Sequence, residues 1–193
     1  KNGKVKMSAC CVMHSWEVEK IDFFNDPTLV KIRQQWNNKQ WPEECSFCRR
    51  SEELGNNSRR KGSIQWAIDH LGIRHDQFNE VKLIKLDYYA GNTCNLRCAI
   101  CGPNDSIAWQ KELGIAKNER VVDQNLIDID TDNISWIHFT GGEPLLIDEH
   151  WHVLKSVKQK EKVVLNYNSN GTTLPKQELI DLWSQFKYVM IDF

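Results

Sequence analysis

The sequence lacks the features of several specialised protein classes. No run of ~18 apolar residues occurs, so we predict no membrane-spanning helix and no membrane partner. Internal repeats and low-complexity tracts are absent from the 193 residues. The 25 lysines and arginines nearly balance the 26 aspartates and glutamates, for a net charge of -1. No strong charge therefore attracts nucleic acid. The 40% hydrophobic content predicts a globular chain with one medium domain, or one domain and a small appendage.

Cysteine is present in an odd number, seven, and its distribution is uneven. The cysteines fall into three close groups: Cys10 with Cys11, Cys45 with Cys48, and Cys94 with Cys98 and Cys101. Such grouping indicates metal or cluster binding in a reducing compartment rather than a disulfide framework. We therefore predict a cytoplasmic, metal-binding protein.

The two halves of the chain differ in character. Residues 1–80 are polar, contain several tryptophans and are irregular. Within them we predict a strand from Val5 to Val12 that carries Cys10 and Cys11. We also predict a helix with Asp26 as N-cap and Pro27 in its first turn. Residues 81–193 instead alternate strands and helices, so we place the domain boundary between residues 80 and 81.

The second half is predicted to contain four strands, at residues 81–89, 134–140, 163–167 and 188–193. Helices are predicted between them at 106–113, at 148–160 and from near Pro175. This alternation predicts an α/β fold of parallel βα units: a partial (βα) barrel with about four units, preceded by a small irregular cysteine-bearing domain. Because the last predicted strand has nothing after it, we expect the chain to be a piece of a longer one.

Unusual residues follow three of these strands. Cys94 to Cys101 follow the first, Gly141 to Pro144 the second, and Asn168 to Gly171 the third. In βα barrels, catalytic groups collect at these carboxyl ends. Three thiolates on one loop can hold three irons of a [4Fe–4S] cluster and leave the fourth iron open to a small molecule.

The spacing Cys-x3-Cys-x2-Cys, followed by the Gly-Gly-Glu-Pro segment and then by Asn168 to Thr172, resembles the radical S-adenosylmethionine (radical SAM) enzymes. The resemblance implies cluster ligation by the three cysteines. It also implies contacts with S-adenosylmethionine: the adenine near Ile100, the amino group at the turn, and the ribose or methionine part at the third segment. The implied cluster ligands are Cys94, Cys98 and Cys101, and the implied cofactor-binding residues are Ile100, Gly141, Gly142, Glu143, Ser169 and Asn170.

The same resemblance implies an activity. The reduced [4Fe–4S] cluster would cleave S-adenosylmethionine into methionine and a 5′-deoxyadenosyl radical, which would abstract hydrogen from an unknown substrate such as a peptide, a sugar or a small molecule. An electron donor such as flavodoxin or ferredoxin is implied as a partner. No side chain is assigned a catalytic role, and the isolated fragment could be inactive.

The first half resembles the twitch-type segment that precedes the core in one radical SAM subgroup. This resemblance implies a second, auxiliary iron–sulfur cluster, with Cys45, Cys48 and one or both of Cys10 and Cys11 as ligands. Adjacent cysteines seldom bind one metal together, so one of the pair could be a bystander. A zinc site is the alternative, because a Cys-x2-Cys pair with a distant cysteine pair is also typical of zinc sites. His14 is a further candidate ligand there.

A second hypothesis comes from a different functional class. The chain could be a non-catalytic module that binds zinc or a static cluster for a structural or interaction role. The enzyme hypothesis predicts binding of S-adenosylmethionine that depends on the three cysteines and on Gly142. The module hypothesis predicts a colourless zinc protein that is indifferent to S-adenosylmethionine.

Overall fold

A computed structural model describes residues 5–72, 81–120, 122 and 129–193. The described chain forms two compact units, divided between Lys82 and Leu83. Each unit has its own sheet: a two-stranded sheet in the N-terminal unit and a four-stranded sheet in the C-terminal unit.

The N-terminal unit contains an antiparallel strand pair and three helices. Met7, Leu29 and Ile32 form its buried core. The predicted cap of the first helix is confirmed, because Asp26 Oδ1 accepts hydrogen bonds from the backbone N–H groups of Thr28 and Leu29 at 2.9 and 3.1 Å. The strands are β1 (Val5–Met7) and β2 (Trp16–Val18), and the helices are α1 (Pro27–Asn37), α2 (Ser46–Glu53) and α3 (Arg59–Leu71).

The prediction that the first strand continues to Val12 is wrong. Strand β1 ends at Met7, and Cys10 and Cys11 lie in the connection to β2. A turn closes there because the carbonyl of Cys10 accepts hydrogen bonds from the Ser8 hydroxyl, at 3.0 Å, and from the Met13 N–H, at 3.3 Å. The turn returns the chain so that Met7 pairs with Trp16.

The C-terminal unit is built on a parallel sheet whose four strands lie in chain order, β3-β4-β5-β6. The prediction of a mixed α/β unit with parallel strands is confirmed at this level. Helices α5 and α6 follow β4 and β5 and contact each other. The strands are β3 (Lys85–Tyr89), β4 (Trp136–Thr140), β5 (Val164–Asn168) and β6 (Tyr188–Asp192), and the helices are α4 (Ile107–Glu112), α5 (Trp151–Ser156) and α6 (Gln177–Trp183).

The long helix predicted over residues 148–160 is interrupted. A 3-10 turn at Asp148–His150 leads into α5, which ends at Ser156, and a second 3-10 turn covers Lys160–Lys162. Two side chains donate hydrogen bonds to backbone carbonyls near the C-terminal end of α5. The Ser156 hydroxyl donates to Val153 O at 2.8 Å, and Lys160 Nζ donates to Val157 O at 2.7 Å. Hydrogen bonds of this local kind compete with helical ones.

One face of the sheet packs against α6 and is buried over β3, β4 and β5, whereas Val189 and Ile191 of β6 are half-buried. Phe139 and Tyr167 stack there, and the Tyr167 ring also contacts Trp183 of α6. His150 lies in this core with no exposed surface; its Nδ1 faces Ile147 O at 2.5 Å and its Nε2 faces the Tyr167 hydroxyl at 3.0 Å. The carbonyl requires a proton on Nδ1, so Nε2 of the neutral ring accepts from Tyr167.

This neutral histidine predicts an acid-sensitive core. Burial lowers the pKa of His150 to about 4, so protons bind the unfolded chain more readily than the folded one between about pH 6.5 and pH 4. Unfolding free energy should therefore fall by about 3 kcal/mol across that window as pH decreases. Urea unfolding at pH 7 and at pH 4.5 measures the loss. The His150→Asn variant should lose less between these two pH values, although it starts from a lower stability. An equal loss in both proteins would contradict the prediction.

Candidate active site

The loop that carries Cys94, Cys98 and Cys101 begins directly after β3, and Asn92 anchors it. The Asn92 side chain has no exposed surface. Its Nδ2 donates to Asn118 O at 2.9 Å, and its Oδ1 accepts from the Arg120 N–H at 2.6 Å. The Asn92 carbonyl accepts from the N–H of Ile107 at 3.0 Å. One asparagine therefore ties the start of the loop to α4 and to the segment near residue 120.

Helix α4 holds the rest of this loop. Ser106 caps the helix by accepting from the Ala108 N–H, and its hydroxyl donates to Leu96 O at 2.7 Å. Trp109 Nε1 donates to Cys98 O at 3.0 Å. Sequence reasoning identified the helix but missed the roles of Asn92, Ser106 and Trp109. Ser106, the first residue of the predicted helix, was the one signal available for any of them, because serine is a favoured N-cap residue.

The three thiols of the loop are free and close together. Cys94 is half-buried, and Cys98 and Cys101 are exposed. Burial raises the pKa of the Cys101 thiol, and the nearby Cys98, Asp105 and Cys94 raise it further. Within the described ranges, no group of three His, Cys, Asp or Glu side chains is placed so that it could hold a single metal ion. In a [4Fe–4S] cluster each thiolate binds its own iron, and a loop of three thiols supplies donors of the required kind.

The two glycines after β4 lie directly against the backbone of the cysteine loop. The Gly142 N–H donates to Gly91 O at 2.7 Å, and the Glu143 N–H donates to Thr93 O at 2.8 Å. A Cβ on Gly142 would lie 2.3 Å from the Thr93 carbonyl oxygen, and one on Gly141 would lie 2.4 Å from Gly91 O. Gly141 also has φ +122°, which side chains disfavour. Only glycine, which has no Cβ, allows the turn after β4 to lie this close to the backbone of the cysteine loop.

The Glu143 carboxylate is fully buried and is bound by groups of the protein itself. It accepts from the Leu145 N–H at 3.0 Å and from the Asn170 N–H at 2.7 Å. The Ser169 hydroxyl lies 3.0 and 3.1 Å from its two oxygens. The carboxylate therefore joins the turn after β4 to the segment after β5. The role at S-adenosylmethionine that the resemblance implies for Glu143 and Ser169 stays a prediction.

Asn170 completes the connection between the three strand ends. Its Nδ2 lies 2.9 Å from Asn95 Oδ1 and 3.7 Å from the Cys94 sulfur. The structure thus brings together five of the predicted cofactor-binding residues (Gly141, Gly142, Glu143, Ser169 and Asn170) beside Cys94. Ile100 lies on the cysteine loop but is 97% exposed. Its predicted contact with adenine stays a prediction.

Below these strand ends, the sheet face opposite the helices is polar. His138 of β4 lies beside Asp87 of β3, with Nδ1 and Oδ1 3.5 Å apart. The hydrogen bond to Asp87 raises the pKa of His138, although burial opposes it. On β5, Asn166 Nδ2 donates to Asp192 Oδ2 of β6 at 2.9 Å. This face presents imidazole, carboxylate and amide groups within two residues of the strand ends.

The other four cysteines lie in the N-terminal unit and are also free. Burial raises the pKa of the Cys45 thiol, and the thiols of Cys10 and Cys48 raise it further. Burial likewise raises the pKa of Cys10, which Cys11 and Cys48 also raise. The sequence spacing predicted that these cysteines form a group. Their thiols lie close enough to influence one another. His14 lines an adjacent open pocket of about 570 Å³ together with Val12, Ser46 and Phe47.

The fold and the site together define an α/β protein with a three-thiol loop at the carboxyl edge of a parallel sheet. The Radical SAM superfamily matches residues 88–193, which is more than half of the chain. The chain therefore belongs to the radical SAM superfamily, and this membership implies radical chemistry that uses S-adenosylmethionine and an iron–sulfur cluster.

Two curated relatives share parts of this sequence. A protein named GTP 3′,8-cyclase from Petrotoga mobilis is 28% identical over 85 residues, which are 43% of this chain and 26% of that protein. A protein of the same name from Streptomyces coelicolor is 40% identical over 55 residues, 28% of this chain and 16% of that protein. The matches thus span about a quarter or less of the relatives' length. No solved structure matches the chain. Among the described helices, none has the length and apolar character needed to cross a membrane.

Proposed function

We propose that the C-terminal unit binds a [4Fe–4S] cluster through Cys94, Cys98 and Cys101, binds S-adenosylmethionine beside it, and starts a radical reaction on a peptide, sugar or small-molecule substrate. The observation that carries this proposal is the junction of the three strand ends: Glu143 binds Ser169 and Asn170, and Asn170 lies 3.7 Å from the Cys94 sulfur. Residues far apart in sequence therefore meet beside one of the thiols.

The bound cluster would supply the electron that cleaves S-adenosylmethionine. The protein's own contribution is to position the ligand. The close approach of Gly142 to Thr93 fixes the turn after β4 beside the thiols. The exposed Ile100 offers an apolar surface for the adenine. An electron donor of the flavodoxin or ferredoxin kind would reduce the cluster.

For the N-terminal unit we propose a twitch-like domain, residues 1–80, with an auxiliary iron–sulfur cluster. Its support is the mutual interaction of the thiols of Cys10, Cys45 and Cys48. The residues present offer thiolate donors, which iron–sulfur clusters take.

Anaerobic reconstitution followed by iron, sulfide and zinc analysis tests both assignments. We expect about eight irons in the wild type, for two [4Fe–4S] clusters, and about four in the Cys94→Ala/Cys98→Ala/Cys101→Ala variant. This triple variant should also lose binding of S-adenosylmethionine in equilibrium dialysis. A matched Cys45→Ala/Cys48→Ala variant should lose the other irons and keep that binding. A colourless wild type with zinc, no iron and no affinity for S-adenosylmethionine would instead support the non-catalytic module.

A further inference from the structure

Cys11 has a partner that sets it apart from the other cysteines of the N-terminal unit. Arg59, the first residue of α3, directs both its Nε and its Nη2 at the Cys11 sulfur, each at 3.1 Å. A guanidinium offers its N–H groups in a planar fork that suits an anionic acceptor. Cys11 is also exposed. Its sulfur is therefore held at the surface by a cation.

The other three thiols are drawn together. Cys45 is the N-cap residue of α2 and Cys48 lies three positions later, so both project from the same face of the helix start. Cys48 is buried, and Cys10 and Cys45 are half-buried. The thiols of Cys10 and Cys48 act on Cys45, and the thiol of Cys48 acts on Cys10. These three thiols form one group, whereas Cys11 is exposed and its sulfur accepts from Arg59.

We propose that Cys10, Cys45 and Cys48 are the three ligands that this chain supplies to the auxiliary iron–sulfur cluster, and that Cys11 stays outside the cluster with its sulfur held by Arg59. This inference rests on the auxiliary cluster proposed above. It assigns the two adjacent cysteines different roles. Cys10 belongs with its proposed cluster partners, and the Cys11 sulfur accepts hydrogen bonds from Arg59 at the start of α3.

Iron analysis separates the four cysteines when the other cluster is absent. In the Cys94→Ala/Cys98→Ala/Cys101→Ala background, adding Cys11→Ala should leave the iron and sulfide content unchanged. Adding Cys10→Ala, Cys45→Ala or Cys48→Ala should remove most of both. Loss of iron with Cys11→Ala, or full iron with Cys10→Ala, would overturn the assignment. Far-UV circular dichroism checks that each variant is folded.

Alkylation of the otherwise unmodified protein gives a second readout that needs no substitution. Anaerobically reconstituted wild type is treated briefly with iodoacetamide, and peptides are analysed by mass spectrometry. We expect modification at Cys11 and protection at Cys10, Cys45 and Cys48. Chelation of the iron should remove the protection of these three. Protection of Cys11 together with the other three would overturn the proposal. Four equally modified cysteines, with no iron in the triple-variant background, would overturn it with the auxiliary cluster, but not the S-adenosylmethionine site.

Discussion

The Gly142→Ala variant should lose binding of S-adenosylmethionine by about 100-fold or more. The added Cβ would lie 2.3 Å from the Thr93 carbonyl oxygen and 2.7 Å from the Thr93 carbonyl carbon. Both atoms belong to the backbone, so no side-chain rotation relieves the clash. Either the turn after β4 or the start of the cysteine loop must move, and the Glu143 N–H would then separate from Thr93 O. Overpacking of this kind costs about 1–3 kcal/mol of stability.

Equilibrium dialysis of the reconstituted protein with S-adenosylmethionine measures the affinity, and urea unfolding measures the stability. Gly102→Ala is a matched control, because Gly102 follows Cys101 and a Cβ there meets no atom within 4 Å. The control should change the affinity and the stability little. Wild-type affinity in Gly142→Ala would show that S-adenosylmethionine does not depend on this close approach, and the proposed ligand position would then be wrong.

Local signals made much of the fold predictable. The four parallel strands were expected from their apolar and β-branched residues, and each lies within the predicted range or differs from it by one residue. The Asp26 cap and Pro27 marked the start of α1 by chemistry that acts over three residues. The two errors, at residues 8–12 and 157–160, have another cause. Side chains of Ser8 and Lys160 bind nearby carbonyls, and periodicity does not report such bonds.

The candidate site was predictable in its motifs but not in its internal connections. The three segments carry recognisable residues, and parallel strands bring their carboxyl ends to one edge. The pairing of Glu143 with Ser169, 26 residues apart, and of Asn92 with Arg120, 28 residues apart, depends on how the loops fold back. No spacing rule predicts such pairs. The resemblance implied a ligand contact for Glu143, which stays a prediction, and the structure adds that its carboxylate is bound to protein donors.

The Glu143→Ala variant is expected to lose about 3–5 kcal/mol of unfolding free energy, because two backbone N–H groups and the Ser169 hydroxyl would be left buried without an acceptor. Glu143→Gln keeps the shape but turns an amide NH2 toward one of these donors, so we expect a loss of about 2–3 kcal/mol. Urea unfolding followed by fluorescence measures both. Glu178→Gln, an exposed position in the first turn of α6, is the control and should change stability by less than about 0.5 kcal/mol.

Measuring S-adenosylmethionine affinity on the same variants distinguishes two roles of Glu143. If the carboxylate acts by holding the segments after β4 and β5 together, Glu143→Gln should lose stability and affinity together, and Ser169→Ala should show a smaller loss of both. If the carboxylate instead receives the amino group of the ligand directly, Glu143→Gln should lose affinity at nearly wild-type stability. The four hydrogen-bond contacts that converge on the buried carboxylate favour the first result. In that case Glu143 contributes to binding by positioning the backbone around it.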